Sequence, residues 1–135
     1  MPFYFENDST KRIARCRIEG RLTDEEIMEC YRSACEIAAL GDPQAGIFDL
    51  SGVKSFEVSS HTIHELVTLP RIIPNPNCVR MIIAEPIHIY GMSRIFLFLG
   101  RLTRPNLYVV RFEEEAWAIL GVTKPQFKAY ERKIV

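Results

Sequence analysis

Apolar and polar side chains alternate over residues 2–6 and again over 11–19, where Ile13, Cys16 and Ile18 are among the apolar positions. A period of two sends successive side chains to opposite faces of a strand. With Asn7-Asp8-Ser9 as turn formers between the runs, the pattern predicts an antiparallel hairpin that Gly20 ends. Over residues 24–40 the period changes. Ile27, Cys30, Tyr31, Ala34, Ile37 and Ala38 recur at spacings of three and four, which is a helix with one buried face. Thr23-Asp-Glu-Glu26 ahead of it reads as a capping box, Thr23 accepting from the Glu26 amide while the Glu26 carboxylate reaches back, and Gly41 ends the helix.

The remaining elements are shorter. Residues 46–50 form a buried strand, and Ser59 or Ser60 caps a second helix that carries Ile63, Leu66 and Val67 inward until Pro70 stops it. Residues 79–84 are β-branched and apolar enough for a central strand. A third helix over 90–99 is apolar almost all round and ends at Gly100, so it is either deeply packed or exposes a patch. Residues 107–112 make the last strand. Glu113-Glu-Glu115 then sets negative charge at the start of a short helix bearing Trp117 and Leu120, closed by Gly121. The order ββαβαβαβα predicts an α/β domain spanning 1–135, with a mixed, mostly parallel sheet, one antiparallel edge and helices packed against it. The tail, 124–135, is basic with Phe127 and Tyr130 three apart and is expected to be a short helix docked on the domain or on a second subunit.

A length of 135 residues is that of one domain, and 47% hydrophobic with 25% charged residues excludes a disordered or fibrous chain. The start, Met-Pro-Phe-Tyr-Phe-Glu-Asn-Asp, lacks the basic and apolar regions of a signal peptide, and no apolar run is long enough for a bilayer, so a cytoplasmic protein with no membrane partner is expected. Cys16, Cys30, Cys35 and Cys78 form no CxxC pair and read as free, buried thiols. The chain carries 17 Lys and Arg against 17 Asp and Glu, but residues 1–67 hold 7 against 12 and residues 68–135 hold 10 against 5. An acidic and a basic face suit a protein partner or a homodimer better than nucleic acid.

The junction at residues 45–63 is the chemically suggestive one, because a buried strand runs into a Gly-containing loop and a serine-rich helix start. Its Asp49-Leu50-Ser51-Gly52-Val53 followed by Ser59-Ser60, inside this order of elements, resembles a STAS domain, the fold of bacterial anti-sigma-factor antagonists, and especially the SpoIIAA-like group. The resemblance covers nearly the whole chain. It implies an Asp-Ser-Ser-Gly type loop whose serine, at a helix N-terminus, is phosphorylated by a partner kinase. Here Glu57, Val58 and His61 interrupt that loop, leaving the motif incomplete, with Ser59 or Ser60 as the candidate phosphoacceptor and Asp49, Phe56, Val58 and His61 as the rest of the binding loop.

Other candidates are weaker. His61 and His64 share a helix face and could bind a metal with His88 or Glu65, but local hydrogen bonding is the favoured role and no metal is expected. Asp49 is expected to cap a loop rather than act as acid or base. Arg94, Arg101 and Arg104 cluster near the third helix and its exit, where they can clamp an anion or keep an apolar helix soluble. Tyr90, Met92, Phe56 and Val58 are expected to form an apolar rim, with Arg94 and Arg101 beside it on the partner surface. The expected function is a non-enzymatic, STAS-like protein-interaction or regulatory module in a bacterial signalling pathway, without a cofactor. The alternative is a domain that binds a small apolar ligand or an anion.

Overall fold

A computed structural model describes residues 3–130. In chain order the elements are β1 (Phe3–Asp8), β2 (Ile13–Thr23), α1 (Asp24–Ala39), β3 (Ala45–Glu57), α2 (Ser60–Thr68), β4 (Val79–Ile83), α3 (Ile87–Leu99), β5 (Leu107–Val110), α4 (Glu113–Leu120) and β6 (Lys128–Ala129). They form the α/β architecture expected, a six-stranded mixed sheet in the order β5-β4-β3-β2-β1-β6. Pairs β2–β3, β3–β4 and β4–β5 are parallel. β1 runs antiparallel to both β2 and β6.

Side-chain alternation along the strands feeds two separate cores. On one face Cys16, Ile18, Leu22, Leu50, Ile82 and Val109 meet Cys30 of α1, Ile63 of α2 and Ile89 of α3. On the other, Ile13, Ile47, Met81, Ile83 and Val110 meet Ala116 and Trp117 of α4, with Phe127 beside them. Each fully buried Leu, Ile or Met contributes about 1.5–3 kcal/mol of transfer free energy, and the central strands β3 and β4 serve both faces, so the sheet is buried on both sides as parallel sheets are.

Three expectations are corrected. Gly20 does not end β2: it adopts φ +76° inside the strand, where the β2–β3 register slips between Arg17 and Glu19 and again between Gly20 and Arg21. A left-handed glycine absorbs such a bulge without breaking the ladder. β3 likewise continues past Leu50 to Glu57, so Asp49 lies within a long strand rather than at its end. The tail is a strand, not a helix. Residues 128 and 129 pair with Asn7 and Glu6, and the Gln126 amide donates to Asp8 Oδ2 at 2.8 Å. Residues 131–135 of the predicted tail helix lie outside the described residues.

Two smaller differences concern helix ends. α3 starts one turn earlier than its apolar run suggests, from an N-cap at Pro86. At α1 the capping box is half formed: Thr23 Oγ1 accepts from the Glu26 amide at 3.3 Å, while Glu26 Oε2 is buried without a hydrogen-bond partner.

Candidate functional site

β2 and β3 are the longest strands and overshoot β4, so the N-termini of α1 and α2 emerge side by side at the end of this projection. Arg21 and Glu57 pair across it. Ser59 is the N-cap of α2, its Oγ accepting from the Thr62 amide at 3.2 Å, and its own amide donates to Asp24 Oδ1 at 2.7 Å. That bond is the main reason the Asp24 carboxyl titrates below its ordinary range. A carboxylate thus already occupies the positive end of α2, and a phosphate on Ser59 would face like charge there. Ser60 and His61 are exposed in the first turn, as are His64 and, on α3, His88. Among the described residues no three His, Cys, Asp or Glu side chains are gathered for a metal ion.

Asp49 is buried, and its Oδ1 accepts from the Ser51 amide at 3.0 Å, a local backbone bond within β3 rather than the loop cap expected. Val58 is buried rather than part of an exposed rim, and Phe56 is half-buried. Tyr90 and Met92 are likewise packed against the inner core, so the apolar rim expected of these four does not stand at the surface. Strand-end residues followed by an inward-turning helix pack under it, and the period that marks them as apolar does not say whether water reaches them. Arg94 and Arg101 are exposed, Arg101 stacking over the Phe98 ring with its guanidinium 4.2 Å from the centroid. Arg104 does not join them. It is buried and donates to the carbonyls of Leu66, Val67 and Leu69, capping the C-terminal end of α2.

A prominent hollow lies beneath α1. A cavity of about 430 Å³, open to solvent, separates this helix from the sheet. Ile27, Tyr31, Ala34, Ile37 and Ala38, the α1 stripe without Cys30, line it. Opposite stand Phe5, Cys16, Ile18, Phe48 and Leu50 of the sheet, with Val58, Ile63, Leu66, Met92 and Phe96 closing one side and Ile72 and Ile73 of the α2–β4 loop another. Ile73 reaches over Gly46, where a Cβ would come within 2.8 Å of its Cδ1, so a side chain at residue 46 would require Ile73 to turn aside. Tyr31 donates its hydroxyl to the Pro70 carbonyl, tying α1 to the same loop. Burial pushes its phenol up to about 12.

Protein interiors hold few voids larger than a water. At ~24 cal/mol per Å³ an empty, sealed space of this size would cost on the order of 10 kcal/mol, as much as a domain's entire stability. The opening to solvent makes that an upper bound, yet a packing flaw of this size would be hard for a small domain to carry. The volume is within the ~300–1,000 Å³ typical of small-molecule sites.

Where α1 does touch the sheet, the contact is Cys30 on Cys16, Sγ to Sγ 3.3 Å. The Cys16 thiol is pushed far up, first by the hydrogen bond with Cys30 and then by burial, so this pair is packing rather than a reactive centre. All four cysteines are free.

Phe56, Val58 and Met92 therefore belong to the site, as inner wall rather than outer rim. The α1 stripe, the α2–β4 loop and the arginines behind it form the rest, and only the stripe was visible as a pattern. No protein-family model matches the chain, and no curated protein matches it, so the residues and their geometry carry the functional reading.

Proposed function

We propose that this protein is a non-enzymatic, STAS-like regulatory module that binds a small apolar ligand between α1 and the sheet. The observation that carries the reading is the cavity of about 430 Å³ lined by the apolar stripe of an amphipathic helix. A helix face made of Ile, Ala and Tyr is driven to leave water. Here most of it faces a hollow, and an apolar guest supplies the missing contacts. No helix among the described residues is long and apolar enough to cross a membrane, and free cysteines fit a reducing compartment, which supports a cytoplasmic setting.

The test is titration of the purified chain, stripped of co-purifying lipid, with an uncharged solvatochromic dye. A saturable blue shift at one site per chain, reversed by aliphatic competitors, is the expected result. Absence of any saturable site would remove the reading.

A second reading, a protein-interaction module, is supported by the outer face of α3 and the turn after it. Ile87, Ile95, Phe98 and Leu102 are exposed there, Leu102 at 89%, with Arg94 and Arg101 alongside. An apolar stripe with a basic margin suits a second copy with its acidic segments or an acidic protein partner. If it mediates a homodimer, sedimentation velocity shows a concentration-dependent dimer that Phe98→Asp and Leu102→Asp convert to monomer. A chain that stays monomeric throughout argues against self-association.

A further inference from the structure

Arg71, Arg80 and Arg104 are among the residues that line the cavity beside the α2–β4 loop. Arg80 stands opposite Gly46 in the β3–β4 ladder, which puts this cluster at the N-terminal end of both strands. Among the described residues none of the three forms an ion pair with a carboxylate. Their close hydrogen bonds go to main-chain carbonyls: Arg80 to Ile73, Asn75, Cys78 and Pro105, Arg104 to the end of α2, Arg71 to Pro74 and Thr103. The carboxylates that line the same cavity are already engaged, Asp42 by Arg12, Glu6 by Arg15 and Asp8 by the amides of Lys11 and Gln126.

Carbonyl dipoles hold these arginines but do not neutralise them. Burial and mutual repulsion both lower the pKa of Arg80 and of Arg104, a strain that one bound anion would relieve. Arg71 is the group placed to receive it. It is half-exposed and donates three hydrogen bonds, one each from Nε, Nη1 and Nη2. Since a guanidinium carries five N–H groups, two remain, one on each Nη, for an anion.

We infer that the cavity takes a single-chain amphiphile with an anionic head, its aliphatic tail along the α1 stripe and its head on Arg71, in the field of Arg80 and Arg104. This rests on the apolar-ligand reading above and specifies the ligand's polar end. A space of about 430 Å³ is of a size to admit one aliphatic chain.

The experiment is competition of the uncharged dye by dodecanoate and hexadecanoate, each against its methyl ester, on the full chain and on Arg71→Gln and Arg71→Lys. Wild type is expected to bind each carboxylate roughly tenfold tighter than the ester. In Arg71→Gln the two should fall within about threefold of each other through loss of carboxylate affinity alone. Unchanged ester affinity shows that the variant remains folded. Arg71→Lys keeps the charge with fewer donors and is expected to lie between. Equal affinity of wild type for acid and ester overturns the anionic head while leaving the apolar cavity standing, and a preference that survives in Arg71→Gln overturns the assignment to Arg71. A dye that finds no saturable site overturns the cavity reading itself.

Discussion

Ala34→Leu is expected to stabilise the ligand-free protein and to weaken dye and aliphatic-ligand binding by at least about tenfold. Ala34 is buried on the inner face of α1, 7% exposed, and its methyl group faces the cavity. In a filled core the three added carbons would force neighbours off their rotamers and cost roughly 1–3 kcal/mol. Into an open apolar space the same three carbons bring buried area at ~0.8 kcal/mol per methylene, so a gain of up to about 2 kcal/mol is expected, or a rise in melting temperature of several degrees. Leucine is also an excellent helix former, so α1 is not weakened by the exchange. The sign of the change thus reports whether the space under α1 is a binding cavity. Thermal unfolding and dye titration on the same samples decide it: loss of stability with binding unchanged would mean that Ala34 abuts a packed core.

Arg80→Met is expected to be among the most damaging single changes, lowering stability by roughly 3–5 kcal/mol. Both Nη atoms of Arg80 donate twice, to Cys78 and Pro105 at 2.7 and 3.1 Å and to Ile73 and Asn75 at 2.6 and 2.7 Å. One planar group therefore joins the α2–β4 loop, the start of β4 and the connection before β5. Each buried carbonyl left without a donor costs about 1–3 kcal/mol, discounted where water reaches it. Arg80→Lys should recover only part of the loss, because an ammonium has three donors and no fork with which to span opposite sides. Urea denaturation monitored at Trp117 measures both. A cost below about 1 kcal/mol for Arg80→Met would show that the loop is held by Ile73 on Gly46 and by its prolines instead.

The elements were legible because their periods are simple. Cys16 and Ile18 lie on one face of β2 with Ile13 on the other, as a period of two requires, and the stripe from Ile27 to Ala38 lies on one face of α1. The misreadings come from residues whose local meaning depends on a distant neighbour. Gly20 breaks an isolated strand, but beside β3 it is the bulge that lets β2 continue. Phe127 and Tyr130 have helical spacing, yet the Tyr130 amide donates to the Phe5 carbonyl at 2.8 Å, on a sheet edge that no local pattern announces. Ser59 was recognisable as an N-cap. That Asp24, 35 residues away, already holds its amide was not.

The site divides the same way. Asp49, Phe56, Val58 and Met92 drew notice from their place near strand ends, and three of them, Phe56, Val58 and Met92, line the cavity. Arg104 was grouped with Arg94 and Arg101 by nearness in sequence, whereas folding turns it inward to α2 and leaves the other two in solvent. Arg71, in a loop with no period, and Arg80, a lone charge at the start of an apolar strand, carried no signal of a shared site.

By itself, then, the sequence determined the α/β class, the order of elements up to the last helix, and the apolar stripe of the amphipathic ones. Those follow from local backbone geometry and from the free energy of hydrating apolar groups, both of which act residue by residue. Only the tertiary structure decided what stands opposite each apolar face: packed side chains for most, and for α1 a hollow beside three arginines held by backbone carbonyls. Amphipathicity records that a surface avoids water, but the distance between two surfaces that both avoid it is set by the Cys16–Cys30 contact, the α2–β4 loop and Gly46, which meet only in the folded chain.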